Sequence, residues 1–323
     1  MAVVVTGAAG FIGFHVSRAL LDRGERVIGV DSVNDYYDPS LKEARLAQLA
    51  PSEAFSFVRS SIAEPACFEK LATFGDVTGV VHLAAQAGVR YSIENPFAYV
   101  EANLVGHMRV LEYCRALPGL KHLVYASSSS VYGGNTKLPF SIEDRVDQPV
   151  SLYAATKRAD ELLSHSYSHL FRIPQTGLRF FTVYGPWGRP DMALFSFAKA
   201  ILRGEPICVF NHGDMVRDFT YIDDIVAGIL AALERPPGDE EGAPHRVYNL
   251  GNNTPEPLLG VIGLLEDALG RKADKLFEPM QPGDVKATYA DITESRRDLG
   301  FEPQTPIAVG IQRFVEWYRK YHV

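Results

Sequence analysis

Tyr153 and Lys157 stand four residues apart in Ser151-Leu-Tyr-Ala-Ala-Thr-Lys157, and Ser128 lies twenty-five residues before the tyrosine in a run of four serines, Ser127 to Ser130. Four residues make about one helical turn, so the phenol and the ammonium project from one helix face. A cation beside a phenol favours phenolate, which is a base. An ordinary phenol titrates near pH 10, so a phenolate base working near pH 7 must be favoured by ~4 kcal/mol. One ammonium falls short of that, and the positive ring of an oxidised nicotinamide beside it would supply the remainder. Phenol, ammonium and hydroxyl at this spacing therefore point to hydride chemistry at a hydroxyl-bearing carbon. A hydrolase would carry its serine on a Gly-x-Ser-x-Gly elbow, and the serine run has none.

That chemistry needs a dinucleotide, and the amino terminus has the pattern for one. Ala2 to Thr6 reads as a buried strand, followed by a turn through Gly7, Gly10, Phe11, Ile12 and Gly13 and an apolar-periodic helix from Phe11 to about Arg23. Gly7 permits the tight turn, Gly10 lets backbone approach a pyrophosphate, and Gly13 lets the helix pack close on the strand, with free N–H groups at the helix start facing the phosphates. A second strand from Arg26 to Val30 ends in Asp31, eighteen residues after Gly13. Its carboxylate is placed to accept hydrogen bonds from the adenosine ribose and would repel a 2′-phosphate, so the expected cofactor is NAD.

Strand and helix signals alternate through the first half. Helices are predicted near Leu41 to Leu49, Cys67 to Phe74, Pro96 to Ala116 and from Leu152 to about Phe171, with strands at Phe55 to Arg59, Gly79 to Leu83, Leu123 to Ala126 and Thr176 to Phe180. This rhythm implies an α/β fold with a doubly wound parallel sheet of Rossmann type. From Thr182 the rhythm breaks, with helices near Ala193 to Arg203 and Asp223 to Glu234, short strands between them, and an acidic loop at Pro236 to Gly242. The expected organisation is a dinucleotide-binding domain over 1–180 and a smaller mixed α/β substrate lobe over 181–323. Part of 216–250, and Val247 to Leu250 in particular, could return to the first sheet.

Composition excludes several classes. The chain has 323 residues and a formal charge of −7, which argues against a nucleic-acid partner. No apolar run approaches the ~20 residues of a membrane span, and no basic residue precedes Arg18 in the apolar start, so a cytoplasmic location is expected. Cys67, Cys114 and Cys208 lack paired spacing and the nine histidines lack ligand spacing, so no metal is expected.

The glycine turn, Asp31, His82-Leu-Ala-Ala-Gln86, the serine run and the Tyr153 and Lys157 pair occur in the order found in extended short-chain dehydrogenase/reductases, the NAD-dependent epimerase/dehydratase family. The chain resembles that family over its whole length. Within it the similarity is to the UDP-glucuronate 4-epimerases. The strings carrying it are Asn34-Asp-Tyr-Tyr-Asp38, Lys42-Glu-Ala-Arg45, Ala87-Gly-Val-Arg-Tyr-Ser92, the stretch Arg179 to Met192, Arg217 to Asp224, and Pro279-Met-Gln-Pro-Gly-Asp-Val285. The resemblance implies that Ser128 meets the sugar 4-oxygen, Tyr153 takes the 4-hydroxyl proton and Lys157 holds the nicotinamide ribose. It implies further that Ala84 and Ala85 admit the cofactor to the strand end, Asn103 orders the catalytic helix, Arg217 meets the diphosphate, Asp284 meets the uridine ribose, and the chain forms a homodimer. Ser128 as a turn cap and Asn103 as a satisfied helix polar group stay open at this point.

Relatives share oxidation at C4 and differ in the step after it. Dehydratases and decarboxylases of the family carry acids just after the catalytic hydroxyl residue, where this chain has Ser129 and Ser130, so epimerisation is what remains. A substrate with a C5 carboxylate becomes a β-keto acid on oxidation and must be held against loss of carbon dioxide. Arg189, assisted by Thr182 and Ser129, is expected to grip that carboxylate, an Arg fork being suited to it. A surface arginine in a proline-rich loop is the plainer alternative. Gln281 stands where relatives have a second diphosphate arginine, for which Arg90 is a substitute, and Ser61 and Ile62 stand where Asp-Ile more often lies beside the adenine. A UDP-glucose/UDP-galactose 4-epimerase and a non-catalytic NAD-binding regulatory protein remain the competing readings.

Overall fold

The computed structural model describes residues 2–239, 242–281 and 283–322, so Glu240 and Glu241 of the acidic loop and Pro282 lie outside the described residues. In chain order the first half contains β1 (Ala2–Thr6), α1 (Phe11–Asp22), β2 (Arg26–Asp31), α2 (Ser40–Leu49), β3 (Phe55–Arg59), α3 (Pro65–Leu71), β4 (Val77–His82), α4 (Tyr91–Glu94) and α5 (Pro96–Tyr99). A π-helical turn, Val100–Val105, leads into α6 (Gly106–Ala116), β5 (His122–Ser128), α7 (Leu152–Phe171) and β6 (Gln175–Phe180). The second half contains β7 (Thr182–Tyr184), α8 (Ala193–Arg203), β8 (Ile207–Phe210), β9 (Val216–Tyr221), α9 (Ile222–Leu233) and β10 (His245–Leu250). It ends with β11 (Pro255–Pro257), α10 (Leu258–Leu269), β12 (Lys275–Glu278) and α11 (Ile307–His322).

Among the described residues the main sheet has seven strands in the order β10-β6-β5-β4-β1-β2-β3, every pair parallel. A parallel sheet is stable only when both faces are covered, so its strands read as continuous apolar runs. β1 is such a run, buried at all its positions. Successive side chains point to opposite faces. Val3 and Val5 join the core formed with α1 and α9, while Ala2 and Val4 join the one formed with α3 and α6.

The chain runs outward through β2 and β3, then returns to place β4 on the other side of β1. This reversal opens a crevice beyond the carboxyl ends of β1 and β4, the usual ligand position in such sheets. Strand β10 lies in the main sheet beside β6, so 245–250 belongs with the strands of the first half. A three-stranded sheet β11-β9-β7, a two-stranded sheet β12-β8 and helices α8, α10 and α11 form the smaller lobe. Its apolar side chains, among them Leu265, Phe314 and Tyr318, are continuous with the core on the Val3 face.

The helix expected as one piece from Pro96 to Ala116 is broken by the π-helical turn, and α10 and α11 carry no expectation from the sequence. Among the described residues no helix is long and apolar enough to cross a membrane.

Burial has a consequence for acid stability. His82, His107 and His122 are buried, His15 and His245 partly so. Desolvation drives all of these imidazoles down, to about 3 for His82 and to about 4 for His15, His122 and His245. A depressed folded pKa gives stability that is complete above the unfolded value near 6.5 and is lost as pH falls. Asp160 and Asp218, pushed up by burial to about 7 and about 6, act in the opposite sense but are fewer. The urea midpoint is therefore expected to fall progressively between about pH 6.5 and pH 4; a flat midpoint over that window, measured by circular dichroism, would contradict this account.

Candidate active site

Helix α7 begins with Ser151, whose backbone is extended and whose hydroxyl accepts a hydrogen bond from Ala154 N at 3.1 Å. This cap fixes the first turn, and with it the directions of Tyr153 and Lys157. Lys157 is 3% exposed; its ammonium donates to the carbonyl of Ala126 at 3.0 Å and to Asp160 Oδ2 at 3.2 Å. The Tyr153 ring meets the edge of Tyr99 at a centroid distance of 6.1 Å. Ser128 ends β5 and caps the short 3-10 turn Ser129–Tyr132, its hydroxyl accepting from Ser130 N at 3.2 Å. The capping role left open in the sequence is thus present, and the same side chain also lines the cleft.

Asn103 sits in the π-helical turn at 1% exposure. Its amide accepts from Gln86 N at 2.8 Å, donates to Gln86 O at 3.1 Å and donates to Thr156 Oγ1 at 3.0 Å. One side chain thereby ties the segment after β4 to α7.

The amino-terminal turn is built to exclude side chains. A Cβ on Gly7 would lie 2.8 Å from Ala84 N, and one on Gly13 would lie 2.0 Å from the Gly7 carbonyl oxygen. Gly7 also has φ +74°, a left-handed backbone that glycine adopts freely. Asp31 accepts from Ala9 N at 3.0 Å and from Val33 N at 2.8 Å, which holds its carboxylate at the mouth of the crevice. The close approach of the glycine turn to the segment after β4, with the carboxylate beside them, fits a dinucleotide.

A cleft of about 1100 Å³ runs from this turn to the smaller lobe. The cofactor residues named from the sequence, Gly7, Gly10, Phe11, Ile12, Gly13, Asp31, Ser61, Ile62, Ala84 and Ala85, lie in its wall. Ser128, Ser129, Tyr153 and Lys157 also line it, as do Thr182, Arg189, Arg90, Arg217 and Asp284. A smaller cavity of about 190 Å³ continues past Phe210, Arg217 and Asp284. Among the described residues no group of three or more His, Cys, Asp and Glu side chains could hold a metal ion.

The cations at the lobe end are already partnered. Arg189, which the sequence assigns to a sugar carboxylate, donates through Nε to Asp191 Oδ1 at 3.0 Å and through Nη2 to Asp191 Oδ2. The pairing follows from position, since Asp191 is two residues further along the same loop. Tyr36 donates to the same carboxylate at 3.2 Å, and its phenol is pushed up to about 12 by burial and by Asp191. Burial opposes the charge on Asp191, but Arg189 holds the carboxyl below its usual range. Arg90 and Asp284, assigned separately from the sequence, pair with each other at 3.1 Å, with the Arg90 guanidinium over the Phe210 ring at 4.4 Å. Arg217 donates to the carbonyls of Val216 at 2.9 Å and Lys286 at 3.0 Å.

Besides Tyr36 and Asp191, two buried residues next to the site carry no assignment from the sequence. Asp160 is 1% exposed beside Lys157, its Oδ1 has no partner, and burial pushes its carboxyl up to about 7 against the pull of the lysine. Arg45 is fully buried beneath the loop that precedes Arg189. Their signals were present as the i,i+3 spacing after Lys157 and the Lys42-Glu-Ala-Arg45 string.

Comparison with known proteins agrees with this geometry. The model of the NAD dependent epimerase/dehydratase family matches residues 3–251. UDP-glucuronate 4-epimerase 4 of Arabidopsis thaliana is 52% identical over 331 residues, covering 99% of this chain and 76% of the plant protein. Protein CapI of Staphylococcus aureus is 50% identical over 335 residues, covering 100% and 99%. Among solved structures, UDP-glucuronic acid 4-epimerase from Bacillus cereus in complex with UDP-glucuronic acid and NAD matches with a TM-score of 0.92 and 36% identity, over 100% of both chains.

The glycine contacts give a direct test of the turn. Gly13→Ala must move the Gly7 carbonyl, 2.0 Å from the new Cβ. It is expected to lower affinity for NAD at least about tenfold, or ~1.4 kcal/mol, in a fluorescence titration of the folded variant; unchanged affinity would mean that the turn does not hold the pyrophosphate.

Proposed function

The chain belongs to the NAD dependent epimerase/dehydratase family, and from that footing we propose that it interconverts UDP-glucuronate and UDP-galacturonate through a transient 4-keto sugar, with NAD bound throughout the cycle. The observation that carries this reading is one cleft lined together by Tyr153, Lys157, the hydroxyls of Ser128 and Ser129, and Arg189. The relatives named UDP-glucuronate 4-epimerase and the match to an enzyme solved with that sugar nucleotide support it.

In the proposed cycle Tyr153, as phenolate, takes the proton of the sugar 4-hydroxyl while Ser128 hydrogen-bonds the same oxygen. Lys157 holds the nicotinamide ribose, and its charge favours the phenolate. The glycine turn and Asp31 would hold NAD, which would supply the acceptor for the C4 hydride and the donor for its return to the opposite face of the ring. Ser61 and Ile62 lie beside the adenine, and Ala84 and Ala85 leave room for the cofactor. Arg217 and Arg90 meet the diphosphate and Asp284 the uridine ribose. Thr182, Ser129 and Arg189 hold the C5 carboxylate so that its bond to the ring stays out of line with the ketone π system, which withholds the geometry that decarboxylation needs. After the ring turns over, Tyr153 gives the proton back. Atoms and electrons balance with no net oxidation.

We assign the main sheet to the dinucleotide and the lobe after Phe180 to the UDP-sugar, β10 and α9 returning to the sheet side. The reading also takes the enzyme to be a cytoplasmic homodimer. Ile93 and Phe97, exposed at 64% and 81%, lie on the segment before α6, and Leu162 and Leu170, exposed at 55% and 63%, lie on α7. Together they offer an apolar face to a second copy.

Incubation with NAD and UDP-glucuronate should yield UDP-galacturonate, resolved by chromatography, with UDP-glucose turned over more slowly. Preference for UDP-glucose, or no epimer from either sugar, would overturn the assignment. Tyr153→Phe should lower kcat by about a hundredfold or more. Arg189→Ala should raise KM for UDP-glucuronate and release UDP-pentose; unchanged turnover without added decarboxylation would remove Arg189 from this role.

A further inference from the structure

The loop that carries Arg189 is fastened to the dinucleotide half of the molecule by a residue with no role in the proposed cycle. Arg45, on α2, is 0% exposed and is among the largest fully buried side chains. No described ion pair includes it. A buried cation without a carboxylate is costly unless every donor is satisfied. Here the satisfaction is complete. Nε and Nη2 both donate to the Trp187 carbonyl, at 3.1 and 2.6 Å, and Nη2 also to the Gly188 carbonyl at 3.2 Å. Nη1 donates to the Ala9 carbonyl at 2.9 Å and to the Tyr37 hydroxyl at 2.8 Å.

Apart from the Tyr37 hydroxyl, on the segment between β2 and α2, these acceptors belong to the two loops that matter most. Ala9 lies inside the glycine turn, between Gly7 and Gly10, and Trp187 and Gly188 immediately precede Arg189. Trp187 has φ +62°, a left-handed backbone that a bulky residue keeps only where its surroundings hold it. The holders are visible. His15 Nε2 pairs with the Pro186 carbonyl at 3.0 Å, Arg45 grips the next two carbonyls, and the indole packs on Phe14, Trp317 and Tyr321 at centroid distances of 5.6, 5.4 and 5.0 Å.

We propose that Arg45 is a positioning residue for substrate selection: its planar fork fixes the left-handed backbone at Trp187, and so aims Arg189 at the sugar carboxylate, while its grip on Ala9 ties that aim to the dinucleotide turn. This rests on the proposed role of Arg189 as the carboxylate's partner. Arginine is required because one rigid plane reaches four acceptors on three segments of the chain, which a single ammonium on a flexible stem cannot do. With the fork removed, the Trp187 backbone relaxes and Arg189 meets the carboxylate out of register.

The test uses the purified holoenzyme with Arg45→Lys, Arg189→Ala and the double variant, measuring KM and kcat for UDP-glucuronate, the affinity for UDP, and the share of UDP-pentose in the product. Arg45→Lys is expected to raise KM for UDP-glucuronate about tenfold and to raise the pentose share, with UDP affinity within about twofold of the parent. Adding it to Arg189→Ala should change little further, because both act on one contact. A folded Arg45→Lys enzyme with unchanged KM and pentose share, or losses that simply add to those of Arg189→Ala, would overturn the proposal in favour of a purely structural role. Should Arg45→Lys fail to fold, Tyr37→Phe decides. It removes one acceptor of the guanidinium and is expected to raise KM about threefold with some added pentose, whereas unchanged kinetics would overturn the proposal. If Arg189→Ala itself is silent, the carboxylate reading fails; if Arg189→Ala leaks and Arg45→Lys does not, only the positioning role fails.

Discussion

The position of α7, the helix bearing Tyr153 and Lys157, against the sheet is set by a buried ion pair between Glu161 and Arg179. The guanidinium donates through Nε to Glu161 Oε1 at 2.8 Å and through Nη2 to Oε2 at 3.0 Å, joining α7 to β6 with both side chains nearly inaccessible. Burial opposes the carboxylate charge, yet the arginine and the Ser127 hydroxyl, donating at 2.6 Å, hold the Glu161 carboxyl below its usual range. Such a pair adds little net stability over an apolar contact, but breaking it strands a charge, so it specifies one geometry. Because side chains alternate along a strand, Ser127 turning to Glu161 sends Ser128 to the other side, into the cleft. The network continues through Tyr132, which accepts from Arg179 at 3.0 Å and donates to Asn249 at 2.7 Å. Asn249 in turn donates to the carbonyls of Phe140 and Asp291. The helix bearing Tyr153, the strand bearing Ser128 and the returning strand β10 are thus one hydrogen-bonded unit.

The lobe end obeys a different rule. There the cations face the protein's own carboxylates, Arg189 with Asp191 and Arg90 with Asp284, across the same cleft. An anionic ligand arriving at such a site exchanges one carboxylate or phosphate for another, and what it gains is the difference between two similar contacts. Binding strength is then spread over the whole nucleotide sugar, and the charged pairs serve to select shape and orientation. This suits a chain of formal charge −7, in which unpaired cations at a wide opening would attract anions of every kind.

What was legible in the sequence had local periodicity or local sterics behind it. The strand, glycine turn and helix at the amino terminus, the helical face shared by Tyr153 and Lys157, and the alternation implying a parallel sheet all rest on spacings of a few residues. The break at Val100–Val105 was not legible, because a π-helical turn leaves the apolar pattern of a helix nearly intact. Nor was the hold of Arg45 on Trp187, whose partners lie 142 residues apart. An arginine in an amphipathic helix reads as solvent-facing until the fold brings carbonyl groups over it. Arg189 and Asp191 are close enough in sequence for their pairing to be visible there. It escapes a reading of the sequence because a carboxylate beside an arginine in a polar loop has no fixed direction until the loop has one.

Asp160 shows how burial changes the meaning of a nearby charge. An ordinary aspartate one turn beyond Lys157 would be fully ionised at neutral pH and would offset the charge on which a phenolate depends. Burial at 1% exposure pushes this carboxyl up to about 7, so its charge is disfavoured relative to that of an exposed aspartate. His82, His107 and Tyr125 face the same buried region. Desolvation keeps the imidazoles low and the phenol high, so these three stay uncharged. Burial thus disfavours the negative charge nearest the ammonium on the core side, while the Ala126 carbonyl at 3.0 Å, a dipole without net charge, holds the ammonium in place. The lysine is thus anchored by a carbonyl and by a carboxyl whose charge burial disfavours, on the same helix as Tyr153 and one turn from it.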